Sequence, residues 1–499
     1  MKTKKSSWLV LIAISLGVFM AMLDVTIVNV ALPTIQAEFH TNYVNTQWVV
    51  NAYTASYTVA LLIVTKLGDM LGKKRFFLIA IILFTLGSLF CSIAPNDLIL
   101  NLSRGLEGIG GAGILGLSMA LIGDNYSGKQ RTFILGIWGS IIGFGTSIGP
   151  LIGGILVQYF NWRSIFMINI PIGLFALIVG HKYIRENYHP TEIHFDLFGM
   201  LMSTLMVLCL VMGLLNKEDR PTSSWISLTI GGWLIAGFIC MIIFIIWELR
   251  QKYPMMDLHL FKNTAFVGSC IGGFMATFGL FSFFTYLTIL MQDYMGYSPL
   301  AVGEQRIVIS IFPLILGPVM GAITGRMGSR NVMFFAMFIT GAGLVTMNLM
   351  LGFHNNWLYL LPAFVLMGLG NAAINPSVSN AALLNIKPEE MGMASGTNNV
   401  CRQFGNCLGI LVQGIIVRNS FKAHLTNVLP ANHLRRLIIN AGPFSGREMM
   451  HRFPQYHLAI HNAYYLGIHH LLIVTATLFI LAAFICYFLV RKTEKQLIK

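Results

Sequence analysis

Residues 8–35 read WLVLIAISLGVFMAMLDVTIVNVALPTI, a run with one charged residue, Asp24. A helix needs about 20 mostly apolar residues to cross the hydrocarbon core of a bilayer, and this run suffices. Lys2, Lys4 and Lys5 precede it, as they would a secretory signal. The run continues to Ile35 with no small-residue cleavage site, so it reads as a retained first span. Similar runs follow near 45–67, 75–95, 97–123, 131–158, 163–184, 197–216, 226–248, 264–291, 301–324, 331–352, 356–385, 394–417 and 466–490. The expected architecture is an all-α integral membrane protein of fourteen transmembrane helices.

Composition points the same way. Only 10% of residues are charged and 56% are hydrophobic, whereas soluble domains carry about 25% charged residues. The net charge of +14 lies mostly in short loops. An even number of spans puts both termini on one side. That side holds 21 Lys and Arg, and the other holds 9, six of them within 418–465. The positive-inside rule, in which long loops weigh little, makes both termini cytoplasmic in a cell membrane. No basic patch interleaved with aromatics suggests nucleic acid.

The seven cysteines lie in apolar runs without a C-x-x-C pair, so neither disulfides nor a metal site is expected. No phosphate-binding G-x₄-G-K-[ST] loop and no nucleophile–base pair is readable. An enzyme, a membrane sensor and an ATP-driven pump are therefore disfavoured, and no cofactor beyond a proton gradient is implied. Residues 418–465 are polar, with five histidines from His424 to His461 at no metal-ligand spacing. They read as a long outer loop forming a flap or hairpin.

A weak repeat divides the chain. Thr65-x-Leu-Gly-Asp-Met-x-Gly-Lys-Lys74 recurs 256 residues later as Gly321-x-Ile-Thr-Gly-Arg-x-Gly-Ser-Arg330. Duplicated halves are a transporter signature. The expected division is a six-helix bundle over 1–190, a two-helix insert over 191–255 and a second six-helix bundle over 256–499.

Several motifs carry chemistry. Asp24, deep in the first span, costs about 2.5–3.5 kcal/mol to insert and normally faces a cavity or partner. It is either a proton carrier or a structural hydrogen-bonding group. Arg104 and Glu107 are three residues apart in the fourth span and share a face. Arg104, a permanent cation, either tunes the pKa of a nearby acid or forms a self-neutralised pair with Glu107. Gly139, Gly143, Gly145, Gly149, Pro150, Gly153 and Gly154 give the fifth span a small-residue face and a bend point. Asp69, Gly72, Lys73 and Lys74 form a tight cytoplasmic turn, where the acid can meet a helix end or a basic group. Arg402 and Gln403 lie within the thirteenth span, and a buried arginine there needs a partner or an anionic ligand. Glu304 and Arg306 open the tenth span, where snorkelling is the simple reading. Tyr53 and Tyr57 share one face of the second span, and Trp48 and Asn51 another. With Asn29 and the stripe of Phe274, Phe278 and Phe281, they could line a substrate cavity or merely pack.

These motifs together resemble the fourteen-helix drug/proton antiporter branch of the major facilitator superfamily. The resemblance rests on LDVTIVNVALPTI, GDMLGKK, RGLEGIGGAG, GTSIGPLIGG, NWRSIFMINIPIG (161–173), DLFG (196–199) and NNVCRQFGNCLG. It implies two six-helix bundles plus two extra helices around a cavity that alternates between faces. It also implies a monomer exporting amphipathic small molecules against protons. By this likeness Asp24 and Arg104 belong to the proton relay, Asp69 to the gate and the GTSIGPLIGG helix to the antiporter motif. The chain departs from the family pattern at Thr65, Met70, Glu107, Glu304 and Arg306. Glu107 adds a second potential proton carrier. A carrier of organic anions or lipid-like amphiphiles, with Arg306 or Arg402 as counter-charge, is the alternative.

Overall fold

The computed structural model describes all residues except 1–3, 42, 187–195, 220–222, 252, 253, 255, 257, 353–355, 388, 389, 431, 432, 444, 445 and 491–499. The expected division points near 190 and 255 lie outside the described residues. Among the described residues, fourteen helices are long and apolar enough to cross a membrane. They are α1 Lys4–Glu38, α2 Tyr43–Leu71, α3 Lys73–Ser92, α4 Asp97–Asn125 and α5 Gly128–Tyr159. There follow α6 Ser164–Tyr183, α7 Leu197–Asp219, α8 Gly231–Glu248, α9 Thr264–Tyr294 and α10 Pro299–Met327. The last are α11 Ser329–Met350, α12 Trp357–Ala382, α13 Met391–Val428 and α14 His457–Leu489. Helices satisfy their own backbone groups, which lipid cannot do.

Side-chain caps define several starts. Asn96 accepts from the Ile99 N–H at 2.9 Å before α4, and Asn263 from the Ala265 N–H at 3.0 Å before α9. The repeat becomes a matched pair of one-residue turns. Gly72 alone separates α2 from α3, and Gly328 alone separates α10 from α11, with φ of 113° and 84°. Positive φ in so tight a corner favours glycine. The face of the molecule bearing these two turns is the near face here, and the opposite one the far face.

Helices α1–α6 pack on one another, as do α9–α14. The two groups meet through α5 against α10 and α12, and through α13 against α2 and α4. Glycines set the α5–α10 approach, because a Cβ on Gly317 or Gly321 would run into Gly136, Ser140 or Thr132 of α5. Helix α7 lies across this seam, touching both α2 and α13, and α8 packs on its back. Ile235, Phe238, Ile239, Ile242 and Ile246 leave α8 with a broad exposed apolar surface suited to lipid.

Residues 418–465, expected as a long outer flap or hairpin, are largely helical where described. Helix α13 runs on to Val428 and α14 begins at His457, with short helices His433–Ala441 and Gly446–Arg452 between them. The polar composition hid an apolar stripe. Ile438, Met449 and Met450 are buried in the core of the second helix group, and Tyr294 Oη at the end of α9 donates to the Pro443 carbonyl at 2.6 Å.

Candidate functional site

Three buried charges, Asp24, Arg104 and Glu107, converge where five helices meet. Asp24 and Glu107 are 0% exposed and Arg104 is 1% exposed. Arg104 Nη1 lies 2.6 Å from both Asp24 Oδ2 and Glu107 Oε2, so one guanidinium nitrogen bridges two carboxylates. Its Nε donates to the Val49 carbonyl of α2 at 3.0 Å, and its cationic carbon sits 4.4 Å above the Tyr53 ring. Glu107 Oε1 accepts from the Ser88 hydroxyl of α3, which in turn accepts from Asn169 Nδ2 of α6 at 3.0 Å. Three buried polar atoms in this cluster have no hydrogen-bond partner among the described residues: Asp24 Oδ1, Asn169 Oδ1 and Tyr53 Oη.

The RGLEGIGGAG glycines permit this convergence. A Cβ on Gly108 or Gly111 would strike Tyr53 or Ser56 of α2, and one on Gly110 the α3 backbone at Ala80 and Phe84. Ser88 lies in no quoted motif; Asn169 falls inside NWRSIFMINIPIG, to which no site role was given. Tyr53 and Tyr57 do share a face, with rings stacked at 6.1 Å. Tyr53, however, packs over Arg104 and is 3% exposed, so it belongs to the charged cluster and not to a cavity wall.

The α5 glycines resolve into two faces. Gly145, Gly149 and Gly153 press on Met22, Thr26 and Ile27 of α1, on either side of Asp24. Gly139 and Gly143 press on Asn375 and Pro313 of α12 and α10. Helix α5 continues through Pro150. Gly154 meets nothing within 4 Å, so it plays no part in this packing.

At the near face, Asp69 reaches across the seam. Its carboxylate accepts from the backbone N–H groups of Gly392 at 3.0 Å and Met393 at 2.6 Å, the first turn of α13. Lys73 Nζ lies 3.5 Å from Asp69 and 3.0 Å from Asp124. The turn's acid thus meets both a helix end and a base. Asp124 carried no motif. Nor did Glu186, whose carboxylate accepts from the Lys74 and Arg75 N–H groups and covers Gly72. The second copy of the turn has Gly325 where the first has Asp69, and it packs on Thr132 of α5. One half of the seam is therefore held by charge and the other by glycine packing.

The remaining candidates scatter. Asn29 is exposed, Trp48 and Gln403 are half-buried, and Asn51 is buried. Phe278 stacks on Phe274 at 5.6 Å, but the expected stripe is broken because α9 contains two wide-turn π segments, Ala276–Phe281 and Leu290–Tyr294. Gln413 of α13 donates to the Phe278 carbonyl at 2.8 Å. Glu304 is exposed, as are Ile307, Ile311 and Ile315 along the same helix, α10. Arg306 instead donates to Thr288 Oγ1 at 2.8 Å and sits 4.8 Å over Phe284, both of α9. Arg402 donates to Asn375 and Asn398. At the far face, Arg163 Nη1 and Trp162 Nε1 each donate to Glu38 at 2.6 Å. The Arg163 hydrogen bond, foremost, holds the Glu38 carboxyl below its ordinary range.

Comparison with known proteins bears on this arrangement. The profile of the Major Facilitator Superfamily matches residues 14–410. The chain is 32% identical over 431 residues to multidrug resistance protein Stp of Mycobacterium tuberculosis, covering 85% of this chain and 79% of that one. It is 29% identical to the tetracenomycin C resistance and export protein of Streptomyces glaucescens, over 82% of this chain and 76% of the other. In shape it is similar to the human organic anion transporter MFSD10, with a TM-score of 0.66 across 97% of this chain and all of that one. At 13% identity that likeness speaks for the fold alone.

Proposed function

The chain belongs to the Major Facilitator Superfamily, and from that premise we propose that it is a proton-coupled exporter of amphipathic small molecules working by alternating access. The observation that carries the reading is the buried cluster in which Arg104 serves two carboxylates, Asp24 and Glu107. With both acids ionised the cluster holds a net charge of −1 out of water; one added proton neutralises it. Inward movement of that proton yields about 2.3 kcal/mol per 100 mV, besides any pH gradient.

Coupling runs through helix packing. Asp24 lies between Met22 and Thr26, the α1 residues gripped by Gly145 and Gly149 of α5. The other face of α5 is locked to α10 and α12 of the second helix group. A charge change that shifts α1 is thereby passed to the seam. The near face is the cytoplasmic one in this reading, with both termini inside the cell. The closed Asp69–α13 contact then belongs to the state shut toward the cytoplasm. The protein acts as a monomer in the cell membrane with substrate and protons as its only ligands, without catalysis or a bound cofactor. Export is favoured over uptake by the names of the resistance relatives.

Everted vesicles energised by respiration provide the test, with ethidium, rhodamine 123 and fluorescein as probes. At least one dye should accumulate, and a protonophore should collapse the gradient. Asp24→Asn should abolish accumulation while leaving the protein folded. Full protonophore-sensitive uptake by Asp24→Asn would remove Asp24 from the mechanism.

A further inference from the structure

Two arginines lie deep in the helical body, and their surroundings differ. Arg104 has two carboxylates at 2.6 Å. Arg402 of α13 is only 9% exposed, yet no ion pair among the described residues includes it. Neutral amides hold part of its fork: Nη1 donates to Asn375 Oδ1 at 2.7 Å and Nε to Asn398 Oδ1 at 3.1 Å. Its Nη2 is buried without a partner. Asn375, which takes Nη1 on its oxygen, has an Nδ2 that is also buried without a partner. Two adjacent groups thus hold donors and lack an acceptor.

A buried guanidinium with only neutral partners is costly, because nothing nearby offsets its lost hydration. A water could take the spare hydrogen bonds but would leave the charge unbalanced. An anion does both, and Arg's planar fork suits carboxylate, sulfonate and phosphate oxygens. The place is also apt for cargo. Asn375 packs on Gly139 of α5, and Tyr57 of α2 lies within electrostatic reach of Arg402, so these donors stand at the seam between the helix groups.

We propose that Arg402 Nη2 and Asn375 Nδ2 form a subsite for the negatively charged group of the transported molecule, which is an amphipathic anion. The inference rests on the transport reading above and names the cargo's charge. The competing role for Arg402 is a structural tie between α13 and α12.

Fluorescein and rhodamine 123 share a xanthene scaffold and differ in charge, and their binding to the purified full-length protein is measurable by fluorescence polarisation. Wild type should bind fluorescein. Arg402→Gln should weaken that binding at least tenfold and change rhodamine 123 binding less than twofold. Its ligand-free melting temperature should be unchanged or higher, since an unbalanced charge has gone. Asn375→Asp installs an internal carboxylate beside Arg402; it should raise the melting temperature and abolish fluorescein binding. No fluorescein binding by wild type, or full binding by either variant, overturns the proposal. So does equal loss of both dyes with a lowered melting temperature, the mark of a structural tie. Arg402-dependent fluorescein binding without transport in everted vesicles would sink the export reading and leave the subsite standing.

Discussion

Arg104 stands 2.6 Å from two carboxylates that water does not reach. Removing one side of such an arrangement leaves charge buried without a partner, which costs about 3–5 kcal/mol. Arg104→Gln should therefore lower the melting temperature of the purified protein steeply. Adding Asp24→Asn and Glu107→Gln to it should recover most of the loss, because no ion then remains. An Arg104→Gln protein as stable as wild type would show that the cluster is hydrated or its acids already neutral. Glu38 tests the far face on a smaller scale. Its carboxyl is held below the usual range by Arg163, so its contribution is complete above the unfolded value, roughly 4.3. It fades as pH falls through the lower folded value. The melting-temperature difference between wild type and Glu38→Gln should be small at neutral pH, since the pair is partly exposed, and should vanish in acid.

Helix α5 is the element on which coupling depends. Its glycines face different neighbours, so substitutions only five residues apart should differ. A Cβ at position 149 would press into Thr26, whereas position 154 has open space. Gly149→Ala should cost about 1–3 kcal/mol by overpacking and lower transport by tenfold or more. Gly154→Ala should fall within about 0.5 kcal/mol of wild type and transport normally. Equal transport by both would disconnect the α1–α5 contact from coupling. Spacing alone proposed a single smooth face; the split between two neighbours needed the positions of α1 and α12.

For the whole molecule, the near face is the informative one. Asp69 caps α13 across the seam, and a carboxylate at a helix N-terminus contributes up to about 2 kcal/mol. Only the near-closed state gains this contact, so Asp69→Asn should lower the closed-to-open ratio by up to roughly 30-fold. Distances between spin labels on the near ends of α2 and α13 should lengthen or broaden accordingly. An unchanged distribution would mean that the glycine-packed α5–α10 half of the seam holds the near face shut alone.

Fourteen spans, the repeated turn and the identity of Asp24, Arg104 and Glu107 as unusual residues were all legible in the chain. Each is a local property: an apolar run long enough for lipid, a glycine in a corner, a charge where charge is costly. Asp24 and Arg104 are 80 residues apart, however, and only folding brings them to 2.6 Å. The same holds for Asp69 with α13, for Arg306 packed on α9, and for the helices within 418–465. Burial and partnership depend on which helix faces which neighbour, and a bilayer rewards apolar surface on every outward side alike. Hydropathy therefore says where helices cross and leaves their rotation and pairing to tertiary packing.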